Sequence, residues 1–302
     1  AIELEGFVTH ERLGPEEASR RAFRSMPPGS AWGAKWEYGW FRASFSLPAS
    51  VAGQRIVLRC NPGPEGLLFV NGRAAGARDR QHPELTLTRR AQGGEEFAIL
   101  GEFYAGHGPI AENIGPVPRG RVVLPEPGPT QRTVEPSHWA IWDDEAFGLY
   151  IDAETLLQTR SCLPETSLRV ARIDEGLRDF TRIVDFELEP ERMRASFREA
   201  RQRLKPLLEC VNGSTAPTMY IFGNSHLDLA WQWPREETVR KSARTMSTQL
   251  ALIEEYPESR FMWCQVPLFE MLRDGYPELW RELKARIAEG RVMAEGGMWL
   301  EP

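Results

Sequence analysis

The spacing of hydrophobic residues changes twice along this chain, and no single kind of layer satisfies all three spacings. In the first stretch they recur at every second residue: Phe41, Ala43, Phe45 and Leu47 alternate with Arg42, Ser44 and Ser46, which makes one apolar and one wet face. Ile56-Val57-Leu58 and Leu67-Leu68-Phe69-Val70 predict further strands. Asn71-Gly72 after the last of these is a hairpin signal, because both positions tolerate positive φ. With a β stretch at 96–103, residues 37–125 read as a small antiparallel β-sandwich. Residues 1–36 read as an N-terminal arm with a short helix at 15–24, where Pro15 suits the first helical position and Glu16 and Glu17 the positive end of the dipole.

The second spacing is helical. Val170, Ile173, Leu177, Phe180 and Val184 recur at three or four residues, as do Met193, Phe197, Ala200, Leu204 and Leu207. Residues 126–215 therefore read as a linker followed by two or three packed helices, the Gly- and Pro-rich stretch 105–136 being a linker or extended arm. From 217 the pattern alternates. The apolar run Met219 to Phe222 reads as a buried strand, 234–255 as a helix, 260–265 as a strand, 277–289 as a helix and 291–295 as a third strand. Such alternation predicts a parallel sheet with helical crossovers. The fold class expected is multidomain α+β: an N-terminal antiparallel β-sandwich, a helical segment, then over 216–302 the start of a parallel β/α barrel. Three barrel strands alone would leave unpaired edges, so a continuation beyond Pro302 is expected.

Composition narrows the function classes. Of 302 residues, 41% are hydrophobic and 26% charged, enough apolar material for sizeable cores. The net charge is −6, with Lys and Arg scattered, so neither nucleic acid nor an anionic membrane is an expected partner. No secretory signal and no membrane-spanning run is present in this sequence. Cys60, Cys162, Cys210 and Cys264 lie far apart and read as buried thiols in a reducing cytoplasm. Self-association is left open.

The stretch Gly223-Asn224-Ser225-His226-Leu227-Asp228-Leu229-Ala230-Trp231-Gln232-Trp233-Pro234 carries the chemistry. It lies where a predicted strand gives way to a helix, the end of a parallel α/β sheet at which sites collect. In extended backbone His226 and Asp228 project to one face and can share a metal ion. Zinc suits one nitrogen and one oxygen donor, but a catalytic zinc takes about three protein ligands, so the pair is an incomplete set. His10, His82, His107 and His138 all precede this region without ligand-like spacing. A His-x-Asp pair also caps helices or bridges strands, and it is the position that singles this one out. Trp231 is placed to be a sugar platform, whereas Trp233 suits core packing.

The segment GNSHLDLAWQWPREETVRKSARTMSTQLALIEEYPESRF, with EGRVMAEGGMWLEP after it, resembles the opening of the catalytic domain of glycoside hydrolase family 38, the class II α-mannosidases. WFRASFSLP and the stretch Glu102 to His107 resemble the N-terminal portion of its cytosolic-type members. The resemblance implies a seven-stranded β/α barrel, retaining hydrolysis of terminal α-mannosides of oligosaccharides, and a zinc ion at the sugar site. By motif position His226 and Asp228 match two zinc ligands and Trp231 the residue that stacks on the mannose ring. Trp299 is a second candidate for lining the sugar site, with Gly296 and Gly297 allowing close backbone approach. The nucleophile, the acid/base carboxylate and the remaining ligands are expected beyond Pro302, so no catalytic residue is assigned and the segment alone is expected to be inactive. Two other readings stay open: a non-catalytic carbohydrate-binding or interaction module built on the sandwich, and another metal-dependent hydrolase.

Overall fold

A computed structural model describes residues 1–108, 126–211, 213, 215–295, 297 and 299, and its chain divides into two compact units, Ala1–Ile141 with Ile221–Pro302, and Trp142–Tyr220. In the first unit the chain runs through β1 (Glu5–Thr9), α1 (Pro15–Ser19), β2 (Arg24–Ser25), β3 (Ala31–Trp32), β4 (Tyr38–Ser46), β5 (Ile56–Arg59), β6 (Gly66–Val70), β7 (Arg73–Arg78), β8 (Glu84–Thr88), β9 (Glu96–Tyr104), β10 (Arg132–Thr133) and β11 (His138–Ile141). Six strands form an antiparallel sheet in the order β2-β1-β4-β9-β6-β7, and β11-β5-β8 form a smaller antiparallel sheet. β10 pairs with β3.

The expected alternation governs β4. Phe41 and Ala43 are buried and Arg42, Ser44 and Ser46 exposed, while Phe45 is half-buried. Phe41 joins Ile56, Leu58, Leu68, Leu85, Ile99 and Phe103 in a core drawn from both sheets, which is the interior of the sandwich. On the opposite face of the same strand Trp40 is also buried, in a second core with Leu67 and Phe69. The large sheet is thus covered on both sides. At the β6–β7 turn Asn71 and Gly72 have φ of 51° and 81°, the positive pair that a two-residue hairpin requires.

Residues 1–36 hold more than the expected helix. α1 ends at Ser19, short of the expected Arg24, which instead pairs with Gly6 of β1. Of the stretch 105–136, residues 109–125 lie outside the described ones.

The second unit contains α2 (Asp144–Ser161), α3 (Leu168–Ile183) and α4 (Pro190–Leu208). The Asp143 carboxylate accepts from Ala146 N at 3.0 Å and the Ser167 hydroxyl from Val170 N at 3.1 Å, each closing a helix N-terminus. Ile173, Phe197, Ala200 and Leu204 from the expected stripes are buried together with Leu149 and Leu156 of α2.

The first unit resumes with β12 (Gly223–Asn224), α5 (Arg235–Glu255), β13 (Phe261–Met262), α6 (Val266–Gly275), α7 (Pro277–Ala288) and β14 (Val292–Met293). The three strands are parallel, in the order β12-β13-β14. Ala243, Met246, Leu250 and Ile253 of α5 pack with Phe261, Trp263, Leu268 and Leu283 in the same core as Trp40, so α5 covers the outer face of the large sheet.

The run Met219 to Phe222 is a correction. It is not a buried strand: Met219, Tyr220 and Ile221 are 81–86% exposed and pairing begins only at Gly223. The register explains this. Gly223 lies opposite Phe261, so the preceding four residues would face 257–260, which is the turn leaving α5 and offers no strand to pair with.

The four cysteines form no disulfide, but only Cys60 is fully buried. Cys162 follows α2 and Cys210 follows α4, and helix ends are solvated, so both are exposed where burial was expected. Burial pushes the Cys60 thiol up to about 12, against the pull of the Arg78 guanidinium. At neutral pH its thiolate fraction is therefore about a thousandfold below that of an ordinary thiol. A thiol-specific reagent is expected to label Cys162 and Cys210 rapidly and Cys60 only after denaturation, as read by peptide mass spectrometry. Early labelling of Cys60 would contradict this packing.

Candidate functional site

The loop between β12 and α5 leaves the C-terminal end of a parallel strand. Leu227 is buried in the α5 core while His226 on one side of it is exposed and Asp228 on the other half-buried, so the period-two geometry read from sequence persists past the strand. It brings His226 Nε2 and Asp228 Oδ1 to 3.5 Å. Two donors each about 2.1 Å from one tetrahedral zinc lie about 3.4 Å apart, so the pair matches the bite of a shared ion. Among the described residues no group of three or more His, Cys, Asp or Glu side chains forms a metal cluster.

Trp231 is 64% exposed, and its ring meets that of Trp233 edge-on, with centroids 5.7 Å apart at 87°. Trp233 is held from two sides. Its indole Nε1 donates to Thr238 Oγ1 at 3.0 Å, and Thr238 Oγ1 in turn donates to the Leu229 carbonyl at 2.5 Å. The Lys241 ammonium lies 4.5 Å from the centre of the Trp233 ring. Trp299 is exposed and follows β14, so it too leaves the C-terminal end of a parallel strand. Gly296, one of the two glycines named beside Trp299, lies outside the described residues.

A buried polar network fixes α5, and with it the loop, on the large sheet. Glu237, in the first turn of α5, has no exposed surface. It accepts from Tyr38 Oη at 2.7 Å and pairs with Arg244. Arg240 Nε donates to Glu102 Oε1 at 2.6 Å with both side chains buried. Lys241 Nζ donates to both Glu65 oxygens, at 3.0 and 2.9 Å, and Arg244 reaches the same carboxylate at 3.3 Å. Burial works to raise the Glu65 carboxyl, but Arg244 and Lys241 beside it prevail and hold it below the ordinary carboxylate range. Its ion pairs are thus complete at neutral pH and weaken only as the pH falls through that lowered value. Burial pushes Glu102 upward against the pull of Arg240, and drives Tyr38 and Tyr104 well above the usual phenol range. None of this network was singled out in the sequence. Its only signal is the recurrence of Glu237, Lys241 and Arg244 along one helix face, which has the appearance of a solvated charged stripe.

Residues 216–302 match the model of the glycosyl hydrolases family 38 N-terminal domain, and residues 2–121 that of the alpha-mannosidase jelly roll domain. Human alpha-mannosidase 2C1 is 26% identical over 308 aligned residues, covering 99% of this chain and 28% of the relative. Alpha-mannosidase G of Dictyostelium discoideum is 26% identical, covering 96% of this chain and 26% of its own length. The chain spans between a quarter and a third of the length of these relatives. A β-glucuronidase from Ruminococcus gnavus superposes on 47% of this chain and 28% of its own with a TM-score of 0.34 at 17% identity, too slight a likeness to bear on the fold.

Proposed function

We propose that this chain, which carries a match to the glycosyl hydrolases family 38 N-terminal domain behind a match to an alpha-mannosidase jelly roll domain, is a member of glycoside hydrolase family 38 and supplies the opening part of the catalytic centre of a zinc-dependent retaining α-mannosidase. The substrates are terminal α-mannosides of oligosaccharides, met in the cytoplasm. The observation that carries this reading is the donor pair His226 and Asp228, 3.5 Å apart at the C-terminal end of a parallel strand, with an exposed tryptophan three residues further on. A β/α barrel begins with β12, β13 and β14 in this proposal, and the exposed run Met219 to Phe222 is the apolar surface that its other elements cover.

Each residue has a distinct task. His226 and Asp228 would hold zinc through one imidazole nitrogen and one carboxylate oxygen, together with ligands from the rest of the enzyme. When bound, that ion would gather neighbouring hydroxyls of the mannose ring and orient it. Trp231 offers an apolar face to the C–H face of the sugar, and Trp299 lines the same end of the sheet. Retaining hydrolysis needs two carboxylates about 5–5.5 Å apart, one attacking the anomeric carbon and one protonating the leaving oxygen. The proposal places both in the remainder of the enzyme. Full-length enzyme should hydrolyse a chromogenic α-mannoside and release the α-anomer first, as seen by NMR. Absence of turnover with zinc bound would refute the reading.

Trp231→Ala should weaken sugar binding about twofold to tenfold, since an aromatic stack is typically worth ~0.5–1.5 kcal/mol beyond area burial. Because Trp231 is largely exposed, its loss should leave the melting temperature nearly unchanged. Titration of a mannose-like inhibitor and a melt on the same preparation test both halves. Unchanged affinity with a large fall in melting temperature would assign Trp231 to packing instead.

A further inference from the structure

We propose that Glu65, on the β-sandwich, positions the sugar platform Trp231 through Lys241 and Trp233, so that the sandwich takes part in shaping the sugar site. The inference rests on the reading of Trp231 as a stacking residue. It goes beyond that reading by giving three other side chains, and the sandwich itself, a part in substrate binding.

An exposed indole on a loop keeps its rotamer freedom unless something stops it. For Trp231 the stop is the edge-on contact with Trp233. Trp233 can serve only if its own plane is fixed, and two handles fix it. One is the chain from Trp233 Nε1 to Thr238 Oγ1 to the Leu229 carbonyl, which ties the indole edge to α5 and to the loop backbone. The other is the Lys241 ammonium 4.5 Å from the ring centre. A lysine head on a flexible four-carbon stem would otherwise turn to water. Here both Glu65 oxygens accept from it, and Glu65 immediately precedes β6, its carbonyl accepting from Tyr104 N at 3.1 Å. The ammonium is thus anchored from the sandwich side and is kept over the ring. Glu65 also meets Arg244, so a Glu65 substitution disturbs two cations, and Lys241 is the cleaner position to alter.

The experiment compares Lys241→Met, which keeps the apolar stem, with Lys241→Arg, which restores a cation. In the full-length enzyme Lys241→Met should raise KM about twofold to tenfold, the scale of one cation–π contact and the stack it supports, while kcat and zinc content stay near wild type. Lys241→Arg should return most of the loss. In a Trp231→Ala background Lys241→Met should add nothing, and an equal rise in KM there would overturn the proposal. A readout free of substrate separates this inference from the assigned function. In sugar-free protein labelled with fluorotryptophan, the Trp231 resonance, identified by its loss in Trp231→Phe, should shift or broaden in Lys241→Met. A resonance that does not move overturns the positioning role whatever the kinetics show. A resonance that moves with unchanged KM leaves the positioning intact and removes Trp231 from the sugar site. Glu65→Gln, which keeps the side-chain shape, should repeat the spectral change to a smaller degree and stands in if Lys241→Met does not fold.

Discussion

In the full-length enzyme His226→Ala and Asp228→Ala are each expected to remove bound zinc and α-mannoside hydrolysis together, lowering kcat/KM by about a hundredfold or more. The expectation follows from coordination number. An ion held by about three protein ligands loses about a third of its protein donors with either substitution, and the vacancy fills with water that cannot hold it in register with the sugar. The 3.5 Å separation of Nε2 and Oδ1 matters here, because two donors already at the bite of one ion need little rearrangement on binding. In the 302-residue chain alone the same substitutions should change zinc affinity little, since a two-ligand chelate leaves the ion mostly hydrated. Zinc content by elemental analysis and turnover should be measured on the same preparations. An Asp228→Ala enzyme with stoichiometric zinc and near-normal turnover would mean that this pair is no metal site.

The candidate pair was legible in the sequence because its geometry is local. An extended His-x-Asp with an apolar residue between needs only the burial of Leu227 to turn both donors outward, and nothing distant decides it. The β4 alternation and the Asn71-Gly72 turn were legible for the same reason. What was not legible depends on pairing across distance. Whether Met219 to Phe222 becomes a strand is decided by the turn at 257–260 that lies opposite it, and whether Arg24 stays helical is decided by Gly6. Helix α6 is different, since its signal was present: Pro267 in the first turn and Leu268, Met271 and Leu272 at helical spacing, all buried. It is short and lies between two stronger patterns, which obscured it. The ion network over α5 was hidden by chemistry. In sequence a buried charge looks like a solvated one, and only the partner strands β4 and β9, carrying Tyr38 and Glu102, give Glu237 and Arg240 their places.

That network gives the largest stability effect expected in this chain. Arg244→Met should destabilise the first unit by about 3–5 kcal/mol, because Glu237 is left fully buried with its charge uncompensated. The Tyr38 hydroxyl still donates to Glu237 at 2.7 Å, but a neutral donor does not replace a guanidinium. The nearby Glu102 carboxylate makes matters worse, since Glu237 already helps to push its protonation upward. Removing both charges is a different perturbation from removing one. Replacing a buried ion pair by apolar residues of similar volume is often neutral or stabilising, so Glu237→Met combined with Arg244→Met should recover much of what Arg244→Met loses. Full recovery is not expected, because Tyr38 loses its acceptor, at a cost of about 1–3 kcal/mol for an unsatisfied buried hydroxyl. Denaturant unfolding of the wild type, the two single variants and the double variant gives the coupling between the two charges. A double variant as unstable as the sum of its singles would show that these two side chains act separately, and that α5 is held on the sheet by its apolar face through Ala243, Met246 and Leu250 instead.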